Sequence, residues 1–158
     1  MLHTFFLDDL HARAMALGMA GEALQVCLST VGEMHERTAA AYILNGKLLM
    51  SVDVAPEELN PDSWMFEKDP WAPSDEELDS GPLPLFKKGL TIMESLGSDK
   101  AAIGRVHHNI GVAYARDQQP KKAMKSYKMA MRILSATKDK EGLSQVYSSI
   151  GSELLARK

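Results

Sequence analysis

Apolar positions recur every three or four residues along most of this 158-residue chain, a periodicity that predicts α-helices rather than strands. The clearest copy is the stretch 105–134, which the pattern divides into two short helices and a turn. Further helices are predicted over 4–17, about 20–33, about 36–51, from Pro82 onward and over about 140–156. We expect Gly18 to end the first of them. The predicted fold class is all-α, with about seven helices in antiparallel pairs.

Each of the three helices predicted before residue 52 has an apolar face. The first face contains Phe6, Leu10, Ala14 and Leu17. The second contains Ala23, Val26, Cys27, Thr30 and Val31. The third contains Ala41, Leu44, Asn45 and Leu48, with Asn45 or Gly46 in the place of a small residue. Most of the ten methionines also fall on apolar faces, where we expect core residues.

The second half of the chain contains an internal repeat. Asp99 matches Asp139 and Gly111 matches Gly151, at a spacing of 40 residues. At a spacing of 41, Phe86, Gly89, Leu90, Ile92 and Met93 match Tyr127, Ala130, Met131, Ile133 and Leu134. A repeat of this length predicts helix pairs that stack on one another, because one pair alone cannot bury its apolar face.

Five positions in 105–134 set the packing expected inside one helix pair. The first helix has the spacing L-G-x-x-Y at Ile110, Gly111 and Tyr114, and the second has A-x-x-x-F at Ala123 and Tyr127. We expect the two small residues to face each other and the two tyrosines to fill the space beside them. Gly151 is expected to serve the same packing role one repeat later.

These spacings resemble the tetratricopeptide repeat, and in particular the long repeats of LGN-type adaptors and kinesin light chains. The resemblance is further supported by the turn residues Gly97 and Asp99 and by Asn109, which directly precedes Ile110 in the pattern N-L-G-x-x-Y. The resemblance implies one right-handed superhelical domain over 1–158. Its parts would be a degenerate repeat at 1–35, a repeat at 36–96 interrupted by an insertion at 52–81, a clear repeat at 97–136, and a final helix at 137–158.

In that family the ligand usually lies in a concave groove lined by the first helix of each pair. Carried over by register, the groove residues here are Arg105, His108, Val112, Arg116, Gln145, Ser148 and Ser152. Members that clamp the carboxyl terminus of a chaperone use a Lys and an Asn where this chain has His108 and Val112. This difference argues against a chaperone-tail clamp. Arg105 and Arg116 remain suited to an acidic peptide, because guanidinium groups bind carboxylates well.

Charge is unevenly distributed along the chain. Residues 53–79 contain ten acids and one base, whereas residues 80–158 contain fourteen Lys and Arg against six acids. The acidic insertion also contains three large aromatic side chains, Trp64, Phe66 and Trp71. Two interpretations are equally open: the segment binds the basic half in the same chain or in a second copy, or its aromatics cover an apolar seam between neighbouring helices. A homodimer could form through this insertion or through the final helix.

Several functional classes are disfavoured. No phosphate-binding loop, dinucleotide fingerprint or zinc signature occurs, so we expect no enzyme, metal or cofactor. His107 and His108 are adjacent and point about 100° apart on a helix, so they cannot share a metal. The stripe Lys121, Lys125, Lys128 and Arg132 lacks the interleaved aromatics of a nucleic-acid surface and is expected to be solvated.

The cellular setting expected from the sequence is the cytoplasm. No apolar run approaches the roughly 20 residues that a membrane span needs, and the acidic residues near the N-terminus are unlike a secretory signal. The single cysteine, Cys27, is expected to be a buried structural thiol. The predicted function is that of an adaptor or scaffold that binds a protein or peptide. The alternative is a dedicated chaperone for a secreted or aggregation-prone client.

Overall fold

The structure, a computed structural model, describes residues 2–51 and 81–156, without the side chains of residues 2–11 and 14. Within these ranges the regular structure consists of six α-helices. They are α1 (Leu2–Thr30), α2 (Glu36–Ser51), α3 (Pro82–Leu96), α4 (Lys100–Arg116), α5 (Pro120–Thr137) and α6 (Lys140–Leu155). The all-α fold class is thereby confirmed, while the superhelical arrangement stays a prediction.

The first helix is longer than predicted. α1 runs without a break from Leu2 to Thr30, so the prediction that Gly18 ends a helix is wrong. A glycine inside a helix costs only about 1 kcal/mol relative to alanine, and no proline follows to force an end. The helix ends instead before Gly32, whose φ of +85° is left-handed. The amides of Val31 and Gly32 both donate to the Cys27 carbonyl there.

The face of α1 that packs on α2 also differs from the predicted one. Ala20 and Leu24 are buried, and the Ala20 carbonyl accepts a hydrogen bond from Asn45 Nδ2 at 2.9 Å. Of the five residues predicted for the apolar face of the second helix, only Cys27 is partly buried, and Ala23, Val26, Thr30 and Val31 are exposed. The periodic pattern shows that α1 has apolar faces, but it cannot show which of them α2 covers.

The second helix has the predicted bounds, with a different set of buried residues. Thr38, Ala39 and Tyr42 are buried together with Asn45 and Gly46, the pair proposed for the small position. Leu44, predicted to be in the core, is 48 % exposed. The Thr38 hydroxyl donates to the Gly32 carbonyl at 2.7 Å, which ties the start of α2 to the end of α1.

Helices α3, α4 and α5 end in the same type of turn. In each, the residue after the C-cap is left-handed: Gly97 at φ +65°, Gln118 at +55° and Lys138 at +58°. The next amide reaches back five residues, as from Ser98 to Met93 at 2.9 Å and from Asp139 to Leu134 at 3.0 Å. These are Schellman turns, which satisfy the last carbonyls of a helix.

The turns explain why two repeat spacings coexist. After α3, Ser98 separates the left-handed Gly97 from Asp99, the N-cap of α4. After α5, the left-handed Lys138 is followed directly by Asp139, the N-cap of α6. One residue fewer in the second turn gives a spacing of 41 between α3 and α5 but of 40 between α4 and α6.

The core of the second half lies between α4, α5 and α6. One side of α5 is fully buried, with Ala123, Tyr127, Ala130 and Leu134 all at 2 % exposure or less. The matching residues Phe86 and Met93 of α3 are buried as well, as the repeat predicts. Val146 of α6 completes the cluster around α5.

Gly111 packs differently from the prediction. A Cβ atom placed on this glycine would lie 2.4 Å from Cε1 of Tyr127, and its three nearest neighbours all belong to that ring. The glycine therefore faces Tyr127 rather than Ala123. Gly104, one helical heptad earlier, faces Leu134 in the same manner. Seven residues forward on α4 correspond to seven residues backward on α5, which fixes the antiparallel register of this pair.

Two compact units make up the chain, Met1–Leu85 and Phe86–Lys158. In the first, α1 packs against α2; in the second, α5 packs against α4 and α6, and α4 also contacts α6. Most of the acidic insertion, residues 52–80, lies outside the described residues. Among the helices that are described, none has the length and apolar character needed to cross a membrane.

Candidate binding groove

The predicted groove helices α4 and α6 lie side by side. Two side-chain contacts join them: Arg105 Nε donates to Asp139 Oδ2 at 2.7 Å, and His108 Nε2 lies 2.8 Å from Ser149 Oγ. The first contact is at the beginning of both helices and the second near the middle of each. The two helices can therefore present side chains to one ligand.

The contact between Arg105 and Asp139 is exposed and oriented. Asp139 caps α6 by accepting a hydrogen bond from the Gly142 amide at 3.1 Å, so its carboxylate is held in place. The hydrogen bond from Arg105 is the main cause that lowers the pKa of Asp139, and the bond from the Gly142 amide adds to it. The hydrogen bond with Asp139 in turn raises the pKa of Arg105. Because the bond uses Nε, the two terminal amino groups of Arg105 still have N–H donors for an acceptor in a ligand.

His108 takes a different place from the predicted one. It was expected to point into the groove, but it is half-buried between three helices. Its ring lies 5.9 Å from the Tyr127 ring on α5, and its Nε2 atom contacts Ser149 on α6. Burial lowers the pKa of His108 and raises that of Tyr127. The side chain thus connects the helices instead of lining an open surface.

A histidine in contact with a serine hydroxyl is also the arrangement in which the histidine can act as a base and activate the serine as a nucleophile. Ser149, however, lies in the interior of α6. The backbone amides there donate hydrogen bonds within the helix, so they cannot form an oxyanion hole. No group among the described contacts orients the other ring nitrogen of His108. The geometry fits a structural hydrogen bond better than a catalytic one.

The remaining groove residues are placed on two helix faces. Val112 is partly buried and packs against the core of α5 and α6. Arg116 is exposed in the last turn of α4. Gln145, Ser148 and Ser152 are exposed on α6, at spacings of three and four. No carboxylate occurs among the seven predicted groove residues, but the nearby carboxylates of Asp139, Glu141 and Asp99 all raise the pKa of Arg105. The seven residues themselves provide mainly hydrogen-bond donors, which suit a ligand with acceptors.

The predicted packing residues mostly occupy the core. Ile110, Ala123 and Tyr127 are buried, and Tyr114 is partly buried against the same cluster. Gly151 is the exception: it is exposed, and a Cβ atom there would meet nothing within 4 Å. The prediction that it packs like Gly111 is wrong because no helix among the described ones covers that side of α6.

Two lysines near Tyr114 were missed by the sequence interpretation. The Nζ atoms of Lys87 on α3 and Lys122 on α5 lie 5.9 and 5.6 Å from the centre of the Tyr114 ring. Such cation–π contacts contribute about 0.5–1 kcal/mol at exposed sites. The repeat alignment contained no signal for them, because at the spacing of 41 residues Lys87 matches Lys128 rather than Lys122.

The three aromatic side chains proposed as insertion anchors, Trp64, Phe66 and Trp71, lie outside the described residues. In the part of the chain that is described, no three potential metal ligands come together. Comparisons with protein-family models, with curated proteins and with solved structures give no match to this chain.

Proposed function

We propose that this chain is a protein-interaction module of the tetratricopeptide type, an adaptor or scaffold that binds a protein or peptide segment along α4 and α6. The observation that carries the proposal is the joining of these helices by the Arg105–Asp139 pair, beside the exposed side chains of Gln145, Ser148 and Ser152. An oriented guanidinium next to amide and hydroxyl groups is a good receptor for carboxylates and backbone carbonyls.

The ligand class that fits this surface is an acidic or acceptor-rich peptide. Arg105 is held by Asp139, so less side-chain entropy is lost when its terminal amino groups bind a ligand. Arg116 adds a second guanidinium on the same helix, eleven residues or about three turns away. That distance requires a ligand of several residues rather than a single small anion.

A pull-down from native lysate tests the groove. The baits are the wild-type chain and a variant carrying Arg105→Glu and Arg116→Glu, which reverses the charge of the surface. We expect the variant to lose the partners that the wild type recovers. Recovery of the same partners by both baits would show that the groove is wrongly placed.

The matched control carries Lys121→Glu and Lys128→Glu. Both lysines are exposed on α5, so this variant changes the net charge by the same amount away from the groove. It should recover the wild-type partners. Loss of partners from the control as well would mean that overall charge, not the groove, determines binding.

The chaperone alternative is favoured by one observation. Met15, Met19, Met34 and Met129 are exposed, contrary to the prediction that most methionines are core residues. Exposed methionines suit varied apolar clients because the side chain is flexible and polarisable. Co-expression with a client encoded nearby tests this alternative. A client that stays equally soluble without the chain would contradict it.

A further inference from the structure

Two helices of the chain each expose one side along a full stripe of side chains. On α1 the stripe consists of Met15, Met19, Glu22 and Val26, which we call the α1 stripe. On α6 it consists of Ser144, Ser148, Gly151 and Leu155, the α6 stripe. Both stripes have spacings of four and three residues, the pattern of a helix face that packs against another helix.

The α4–α5 pair shows what such a stripe normally packs against. At a spacing of 40, the α6 stripe corresponds to the side of α4 that contains Gly104 and Gly111. Those glycines receive Leu134 and Tyr127 of α5, at antiparallel register. On α6 the equivalent positions are Ser144 and Gly151, and the space over Gly151 is open. The α6 stripe therefore has the form of an acceptor for a helix like α5.

The α1 stripe has the spacing of the buried side of α5. Met19 and Val26 are seven residues apart, as are Tyr127 and Leu134. Placed in the same register, Met19 lies over Gly151 and Val26 over Ser144. On α5 the residue in the place of Val26 is Leu134, which packs on Gly104. Ser144 has a hydroxymethyl group where Gly104 has none, so the smaller Val26 suits it. Met15 then lies beside Leu155, and Glu22 beside Ser148, whose hydroxyl can donate to the carboxylate.

The exposed fractions show that this contact would remove substantial apolar surface from water. Met15 is 50 % exposed, Met19 68 %, Val26 59 % and Leu155 70 %. Tyr147, next to the α6 stripe and opposite Ala23 in the same register, is exposed as well. Large side chains meet small ones at two places, Met19 on Gly151 and Tyr147 on Ala23, as in a packed helix interface.

Charge selects between the ways in which two copies could pair. Among the described residues, the unit Met1–Leu85 contains five acids and three Lys and Arg, and the unit Phe86–Lys158 contains six acids and twelve Lys and Arg. Pairing two α6 stripes would bring two basic units together, and pairing two α1 stripes would bring two acidic units together. Pairing α6 with α1 brings opposite charges together.

We propose that the chain associates head to tail, with the α6 stripe of one copy covered by the α1 stripe of a second copy. The contact is heterologous, so each copy keeps one stripe for a further neighbour, and the assembly grows unless it closes into a ring. This surface shares Ser148 with the proposed groove, but its other three residues lie outside that set, and the proposal does not rest on peptide binding there.

Sedimentation velocity of the full chain over a range of concentrations tests the proposal. The variant Met19→Glu removes the α1 stripe, and Gly151→Glu removes the α6 stripe; both side chains extend into open space, so the fold should persist. We expect the wild type to gain mass with concentration and each variant alone to stay monomeric. An equimolar mixture of the two variants should form a dimer that grows no further, because one intact stripe of each kind remains.

Other outcomes would overturn the proposal. Self-association of Met19→Glu alone would indicate pairing between two α6 stripes, and self-association of Gly151→Glu alone would indicate pairing between two α1 stripes. A wild type that remains monomeric at all concentrations would exclude the second copy as the occupant. The controls Met34→Glu and Met129→Glu, at exposed methionines outside both stripes, should associate as the wild type does.

Cross-linking checks the register. In a Cys27→Ser background, chains with Met19→Cys and chains with Gly151→Cys should form an intermolecular disulfide when mixed, since the two positions would face each other. Replacing Gly151→Cys by Ser144→Cys moves the thiol by two helical turns and should strongly reduce the cross-link. Equal cross-linking at both positions would contradict the register.

Discussion

Lys138 ends α5 in a backbone conformation that favours glycine. Its φ is +58°, where a side chain costs about 1 kcal/mol, whereas α3 has Gly97 at the equivalent place. The two turns are otherwise alike in their hydrogen bonds. The difference between them therefore isolates the contribution of one backbone conformation to stability.

We predict that Lys138→Gly stabilises the protein by about 0.5–1 kcal/mol, because it relieves the left-handed backbone. Gly97→Ala should destabilise it by about 1 kcal/mol. No atom lies within 4 Å of the added Cβ at Gly97, so the loss would come from the backbone alone. Urea unfolding followed by circular dichroism measures both changes. A destabilised Lys138→Gly would show that the lysine side chain makes a contact that outweighs the strain.

A second prediction at the residue scale concerns acid sensitivity. Burial lowers the pKa of His107 and of His108, and Glu94 opposes the shift only at His107. Unfolded histidine has a pKa of about 6.5, so below that pH the unfolded chain binds protons that the folded chain does not. The free energy of unfolding should fall as the pH falls from about 6.5 until it reaches the lowered folded pKa.

The measurement is urea unfolding at several pH values between about 5 and 7.5. In a variant with His107→Gln and His108→Gln, the free energy of unfolding should depend less on pH over this window. The slope is the quantity to compare, because the substitutions also change stability at every pH. An unchanged slope would assign the acid sensitivity to other groups.

At the scale of the elements, the α4–α5 pair is organised by glycines that receive large side chains. Tyr127 lies on Gly111, and Leu134 lies between Gly104 and Gly142. Each contact allows two helix backbones to approach more closely than a Cβ atom would permit. The sequence pattern identified the glycine and the tyrosine but paired Gly111 with Ala123, since spacing within a helix does not determine the register between helices.

The glycine positions provide a matched pair of substitutions. Gly111→Ala should destabilise the protein by about 1–3 kcal/mol, because the new Cβ would overlap the Tyr127 ring. Gly151→Ala should leave stability unchanged or raise it by up to about 1 kcal/mol, because that position is open and alanine favours the helix. Thermal and urea unfolding of both variants, at a protein concentration low enough to suppress association, make the comparison.

A double-mutant cycle assigns the effect to the ring. In a Tyr127→Leu background, Gly111→Ala should cost less than in the wild type, since the atoms that it displaces are gone. Equal costs in both backgrounds would mean that Gly111 is needed for its backbone rather than for the space above it.

At the scale of the whole molecule, local patterns predicted the helices better than their contacts. The bounds of α2, the start of α3 at Pro82 and the buried side of α5 follow from the 3.6-residue period and from the repeat. The period and the repeat do not predict that α1 continues through Gly18, or that Ala20 and Leu24 form its packed face. The first depends on the small cost of a glycine inside a helix. The second depends on which side of α1 is covered by α2, and that is a property of the folded unit.

The candidate groove shows the same division. The sequence predicted which helix positions share a face, and Gln145, Ser148 and Ser152 are indeed exposed together. It could not predict that Asp139 orients Arg105, or that His108 is half-buried in contact with Ser149. Both partners come from the neighbouring helix, 34 and 41 residues away, and no residue-type signal links them.

The single extra residue in the turn before α4 has a consequence for how the chain can change in length. Ser98 lies between two helices, so its presence leaves the apolar faces of both in place, whereas one residue added inside a helix would rotate every later side chain by about 100°. Insertions and deletions are therefore tolerated at these turns and not within the helices. Copies of the repeat can drift apart in length while their packing stays the same, and an alignment at one fixed spacing will match either the first helices or the second helices, never both.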